Sequence, residues 1–147
     1  MTGTYTCETP EDTFALGGRL GDQLEQGDVV LLRGGLGAGK TLLTKGILNA
    51  LDFDVDEVTS PSFTLVNLYR TPTVDVYHID LWRLNEGSDI LSAVGLEEVL
   101  AEENNVAIIE WSEKLRNFSH SGRIIEIAIR GDGDDPRTIG IKSEPPA

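Results

Sequence analysis

Residues 34–41 read Gly34-Gly35-Leu36-Gly37-Ala38-Gly39-Lys40-Thr41, a G-x-x-x-x-G-K-T run. An apolar stretch, Val29-Val30-Leu31-Leu32, precedes it and reads as a buried strand. Leu42 to Leu51 follows it and reads as a helix. Strand, glycine-rich loop and helix in this order define a phosphate-binding loop within an α/β fold. Glycines let the backbone aim several N–H groups at one point, which makes an anion nest. The helix behind the loop adds its own N-terminal N–H groups and the positive end of its dipole. Lys40 would reach the β- and γ-phosphates of a nucleotide, and the Thr41 hydroxyl would ligate Mg²⁺. Residues 35–42 (Gly35, Leu36, Gly37, Ala38, Gly39, Lys40, Thr41 and Leu42) are the expected nucleotide-binding run.

The chain has 147 residues, the length of one domain with a real core. We expect a single domain over 1–147, with 1–8 and 143–147 as loose termini. Formal net charge is −13, from 25 acidic and 12 basic residues. The basic residues are scattered, so no strong direct nucleic-acid binding is expected. The bland reading of the acidity is solubility; the alternative is docking to a basic partner. Cys7 is the only cysteine, which rules out an internal disulfide and fits a reducing compartment. Met1 to Thr6 has no basic n-region or apolar core, and no apolar run approaches 18 residues. A cytoplasmic protein without membrane contact is therefore expected.

Thr9-Pro10-Glu11-Asp12 reads as a helix start, with Phe14, Leu16, Leu20 and Leu24 on the apolar face. Gly17, Gly18 and Gly21 weaken that helix and suggest close packing. Phe63 to Tyr69 and Val74 to Ile79 read as a hairpin joined at Arg70-Thr71-Pro72-Thr73. Leu81 to Glu86 reads as irregular and Leu91 to Glu103 as helix. Val106-Ala107-Ile108-Ile109 reads as a buried strand. Arg123 to Arg130 and Thr138 to Lys142 read as a second hairpin, turning at Gly131 to Pro136. The fold expected is a mixed sheet flanked by helices, like that of phosphate-loop nucleoside triphosphatases. Its core is parallel, and its outer strands come from antiparallel hairpins.

Hydrolysis needs a carboxylate for the metal and a group that positions water. Asp80 ends one apolar run and Glu110 ends another. Both would lie beyond the carboxyl ends of sheet strands, where ligands bind in open α/β sheets. Either could be the Mg²⁺-side carboxylate. Trp111 could shield phosphates or stack on a base; a core aromatic at a strand end is the plainer reading. Ser60, Ser62 and Thr64 could sense the γ-phosphate, or form an ordinary turn around Pro61. His78 reads as structural.

Taken together these blocks resemble the TsaE family, small bacterial ATPases of tRNA threonylcarbamoyladenosine biosynthesis. The loop at 34–41 is similar to that family's G-D-L-G-A-G-K-T. Ser60-Pro61-Ser62-Phe63-Thr64-Leu65-Val66 resembles its S-P-T-Y-T-L-V. Tyr77-His78-Ile79-Asp80-Leu81-Trp82-Arg83-Leu84 resembles its Y-H-F-D-L-Y-R-L. Ile109-Glu110-Trp111 resembles its E-W stretch. Gly35 stands where the family usually has Asp, and Leu42 where a second Thr is usual.

The resemblance implies an ATPase using ATP and Mg²⁺, weak alone. It implies partners: a TsaD-like threonylcarbamoyl transferase and its TsaB-like companion. Lys40, Asp80 and Glu110 would be catalytic, and Thr41, Asp80 and Glu110 would surround the metal. Trp111 would stand beside the active site, and Ser60 to Thr64 would form a mobile segment near the nucleotide. Adenine would lie near Thr9 to Thr13. The alternative is a small-molecule kinase on the same scaffold, but Arg70, Arg83 and Arg116 are too isolated to suggest its lid. No Asn-Lys-x-Asp segment supports a GTP switch.

Overall fold

The structure, a computed structural model, describes residues 1–35, 37–61, 65–82, 95–102, 104–112, 115, 120–131 and 133–144. Among the described residues seven strands form one sheet: β1 (Gly3–Cys7), β2 (Val29–Arg33), β3 (Val66–Arg70), β4 (Asp75–Asp80), β5 (Asn105–Glu110), β6 (Ile124–Arg130) and β7 (Arg137–Glu144). Their order is β1-β7-β6-β2-β5-β4-β3. The β6, β2, β5 and β4 strands run parallel, and β3, β7 and β1 pair antiparallel at the flanks. This is the mixed sheet that the sequence leads one to expect. All six residues of β5 are buried, as a central parallel strand covered on both faces should be.

Helix α1 spans Pro10–Gln23 and α2 spans Lys40–Ala50. Thr9 caps α1: its hydroxyl accepts from the Asp12 N–H at 3.2 Å, and Asp12 accepts from the Thr9 N–H at 3.3 Å. Leu16 and Leu20 of α1 join Leu43, Ile47 and Leu48 of α2 in one core on one sheet face. A smaller core on the other face joins Val29, Ile79, Ala107 and Ile109 to Leu96 and Val99 of α3 (Leu96–Ala101). At the end of the sheet away from the phosphate loop, the Arg123 guanidinium grips both oxygens of the buried Asp28, at 3.1 and 2.5 Å.

Two expectations need correction. Residues 1–8 are not a loose terminus: Gly3–Cys7 is an edge strand paired along its whole length with β7. Cys7 ends it facing the core, and burial pushes its thiol above the ordinary range. The helix expected over 91–103 is not continuous: α3 starts after Gly95, which sits at φ 65°, and ends before the extended Glu102, while 91–94 and 103 lie outside the described residues. At the other terminus, Ser143 and Glu144 belong to β7, and 145–147 lie outside the described residues.

Two of the three glycines expected to mark close packing of α1, Gly17 and Gly21, do so against α2, whose Gly46 faces α1 in turn. A Cβ on Gly46 would stand 2.1 Å from the Phe14 carbonyl oxygen, and one on Gly17 would stand 2.3 Å from that of Leu43. Only hydrogen at both positions lets the two backbones touch. Gly18, one residue round the helix, would place a Cβ 3.9 Å from its nearest neighbour. Gly46→Ala is therefore expected to destabilise the fold by about 3 kcal/mol through forced separation of the helices. Gly18→Ala should stabilise by roughly 0.5–1 kcal/mol through helix propensity. Denaturant unfolding of both variants checks the opposite signs.

Candidate functional site

The phosphate loop leaves the carboxyl end of β2, between β6 and β5. Gly37 (φ 77°) and Gly39 (φ 107°) take left-handed backbone conformations that a side chain would resist. Gly39 is the N-cap of α2 and offers no side-chain hydrogen bond, so the cap leaves the helix's first N–H groups to the loop side. Lys40 opens the helix. Its Nζ donates to the Gly34 carbonyl at 2.5 Å and the Gly35 carbonyl at 3.3 Å, and stands 4.1 Å from the centre of the Trp111 ring.

Strand register brings the two acids together. Asp80 and Glu110 are direct partners at the carboxyl ends of β4 and β5, and Leu32 of β2 is Glu110's other neighbour. Both acids are 2% exposed. Strand alternation puts His78 and Asp80, and likewise Ile108 and Glu110, on the face that carries α1 and α2. Asp80 Oδ1 accepts from the Trp82 N–H at 2.8 Å, and Glu110 Oε2 is hydrogen-bonded by His78 Nε2.

A cavity of about 320 Å³ collects these groups: Gly37 to Leu42 from the loop and helix, Ser60, Asp80 and Trp82, then Glu110 and Trp111. Trp111 sits at φ 60°, a strained setting for a bulky residue, and its ring packs on Trp82 with centroids 4.5 Å apart. The chain's only two tryptophans therefore stand together at this site. Trp82 itself is 43% exposed. Gly35 contributes its carbonyl to Lys40 rather than lining the cavity. Leu36, Ser62 and Thr64 lie outside the described residues, as do Arg83 and Arg116. Arg70 pairs with Asp75, at the opposite end of the hairpin from Asp80.

Sequence reasoning missed Arg137. From the start of β7 its guanidinium donates to the Ala38 carbonyl at 2.9 Å and the Gly37 carbonyl at 3.2 Å, and also to Gly133 and Asp135. Engaging those carbonyls helps fix which way the loop's peptide groups face. A lone arginine after a turn carries no sequence signal for such a clamp. Arg137 also borders a second cavity of about 140 Å³, with Thr9, Thr13, Gly39, Leu42 and Asp134 among its walls. Gly39 and Leu42 border both cavities.

Among the described residues, no three His, Cys, Asp or Glu side chains converge to form a metal cage. One hydroxyl and two carboxylates around a phosphate site suit Mg²⁺ instead, which keeps waters and takes phosphate oxygens as ligands.

Fold and site together place the chain in the phosphate-loop α/β class. A family model described as threonylcarbamoyl adenosine biosynthesis protein TsaE matches residues 7–139. The chain is 43% identical over 119 residues to the tRNA threonylcarbamoyladenosine biosynthesis protein TsaE of Mycobacterium bovis, covering 77% of this chain and 70% of that one. It is 31% identical over 140 residues to the protein of the same name from Rickettsia typhi, covering 95% and 94%. The crystal structure of Bacillus subtilis YdiB superposes with a TM-score of 0.70 at 29% identity, over 96% of this chain and 84% of that one. The chain belongs to the TsaE family.

Proposed function

We propose that this chain is the ATP-binding and hydrolysing subunit of tRNA threonylcarbamoyladenosine synthesis, acting by nucleotide-dependent binding to a TsaB–TsaD pair. One observation carries the reading. Lys40, Thr41, Asp80 and Glu110 border a single cavity at the carboxyl ends of three adjacent parallel strands. The loop's N–H groups and Lys40 hold the phosphates. The base enters the second cavity, beside Thr9 and Thr13. Thr41 and Asp80 hold Mg²⁺, which neutralises phosphate charge when bound. Glu110 orients the attacking water. Glu110 is assigned the water because a second side chain, His78, holds it, as a water-orienting group commonly is held, and Asp80 takes the metal.

Membership of the TsaE family supports a role in this pathway, and the charge of −13 fits a subunit that leaves tRNA to others. Hydrolysis by the chain alone is expected to be slow and to rise at least about tenfold with the TsaB–TsaD pair from the same source, the scale of a modest allosteric coupling. Phosphate release with and without the pair tests this. A pair that binds in no nucleotide state refutes the partner role.

A further inference from the structure

We propose that His78 is a positioning residue for Glu110, and that through Tyr69 it ties that carboxylate to the Thr59–Pro61 segment of the site's wall. The proposal rests on Glu110 orienting water. His78 is wholly buried on β4, with Val76 beside it on the same face and Ile108 as its partner on β5. An imidazole there is costly unless its nitrogens are satisfied, and an aliphatic residue would fill the space without that demand. Its Nε2–H donates to Glu110, and its Nδ1 lies 3.5 Å from the Tyr69 hydroxyl, at the long end of hydrogen-bond reach.

Tyr69 is equally committed. Its single hydroxyl proton has two acceptors in reach, the Thr59 carbonyl at 3.0 Å and His78 Nδ1 at 3.5 Å, and serves one at a time; its oxygen accepts from the Thr59 N–H at 3.2 Å and from Asn67 Nδ2 at 3.3 Å. Thr59 is the neighbour of Ser60, which lines the cavity. Two side chains thus span from the backbone of one wall to the carboxylate in the other. Without His78, Glu110 would regain side-chain freedom at the moment its direction matters. A shift of Thr59 and Ser60 around a bound nucleotide would move the Tyr69 hydroxyl, and with it the support behind Glu110.

The test compares Tyr69→Phe, His78→Leu, His78→Gln, Glu110→Gln and the Tyr69→Phe/Glu110→Gln double variant, each with the TsaB–TsaD pair. Turnover is read against the Kd for Mg-ATP from tryptophan fluorescence. Tyr69→Phe keeps the ring on Phe53, 5.0 Å between centroids, so the fold should persist. It should lower kcat about tenfold while Kd stays within about twofold, a coupling of ordinary size for residues in one network. His78→Leu should lower kcat at least as far, and His78→Gln, which restores an N–H toward Glu110, should recover part of the loss. Tyr69→Phe should cost nothing more in the Glu110→Gln background.

Additive losses in the double variant overturn the proposal. So do Tyr69→Phe and His78→Leu variants with wild-type kcat beside an inactive Glu110→Gln. Normal turnover in Glu110→Gln would instead refute the reading of Glu110 itself, and this proposal with it.

Discussion

Lys40→Ala is expected to reduce ATP hydrolysis about 10³-fold, roughly 4 kcal/mol of transition-state stabilisation. In the proposed function Lys40 is the cation that meets the phosphates, and it is only 7% exposed. Its Nζ lies against two loop carbonyls and the Trp111 face, contacts that a phosphate would supplement or replace. Charge at this depth is screened far less than at the surface, so its removal should be felt at close to full strength. The fold should tolerate the change, because a partly desolvated cation is removed rather than stranded. Thermal unfolding within a few degrees of the parent would show this. Lys40→Arg should not rescue, since a planar fork cannot take the place of a compact ammonium in so tight a loop. Phosphate release and tryptophan fluorescence measure the loss, Trp111 facing Lys40 and Trp82 packing on Trp111. A Lys40→Ala chain that binds and hydrolyses ATP normally would refute the proposed function.

What the sequence disclosed and what it hid follow from the range of the interactions. The phosphate loop was legible because its pattern is local: the glycines, Lys40 and Thr41 are contiguous in the chain. The capping box at Thr9 and Asp12 is local in the same sense. The two central strands, β2 and β5, declared themselves by unbroken apolar runs, Val29 to Leu32 and Val106 to Ile109. Strand β1 did not. Gly3–Cys7 carries only a half-buried Tyr5 and a buried Cys7 among exposed residues, and is a strand because β7 offers it a partner 130 residues away or more. Asp80 and Glu110 could be placed at strand ends, but only the register sets them side by side. The Arg137 clamp and the His78–Glu110 contact are purely tertiary. His78 read as a structural residue because its partner is 32 positions away and one strand over.

Glu110→Gln and Asp80→Asn are expected to fail differently, and the difference assigns the two acids. Glutamine keeps an oxygen that can accept from His78 Nε2, so Glu110→Gln should fold and bind Mg-ATP within about threefold of the parent. It removes the carboxylate that pulls a water into line, so turnover should drop about 10²–10³-fold, the usual scale for losing one group that acts on the reacting atoms. Asp80→Asn keeps an oxygen for the Trp82 N–H, 2.8 Å away, and so preserves the strand end. It removes charge facing the metal, which should raise the Mg²⁺ concentration for half-maximal activity at least about tenfold, with part of the activity returning at high Mg²⁺. Titrating Mg²⁺ at saturating ATP separates the two patterns. The reverse result, Mg²⁺ rescue of Glu110→Gln and an irrecoverable Asp80→Asn, would exchange the roles: the acid hydrogen-bonded to His78 would then be the metal's, and Asp80 would face the water.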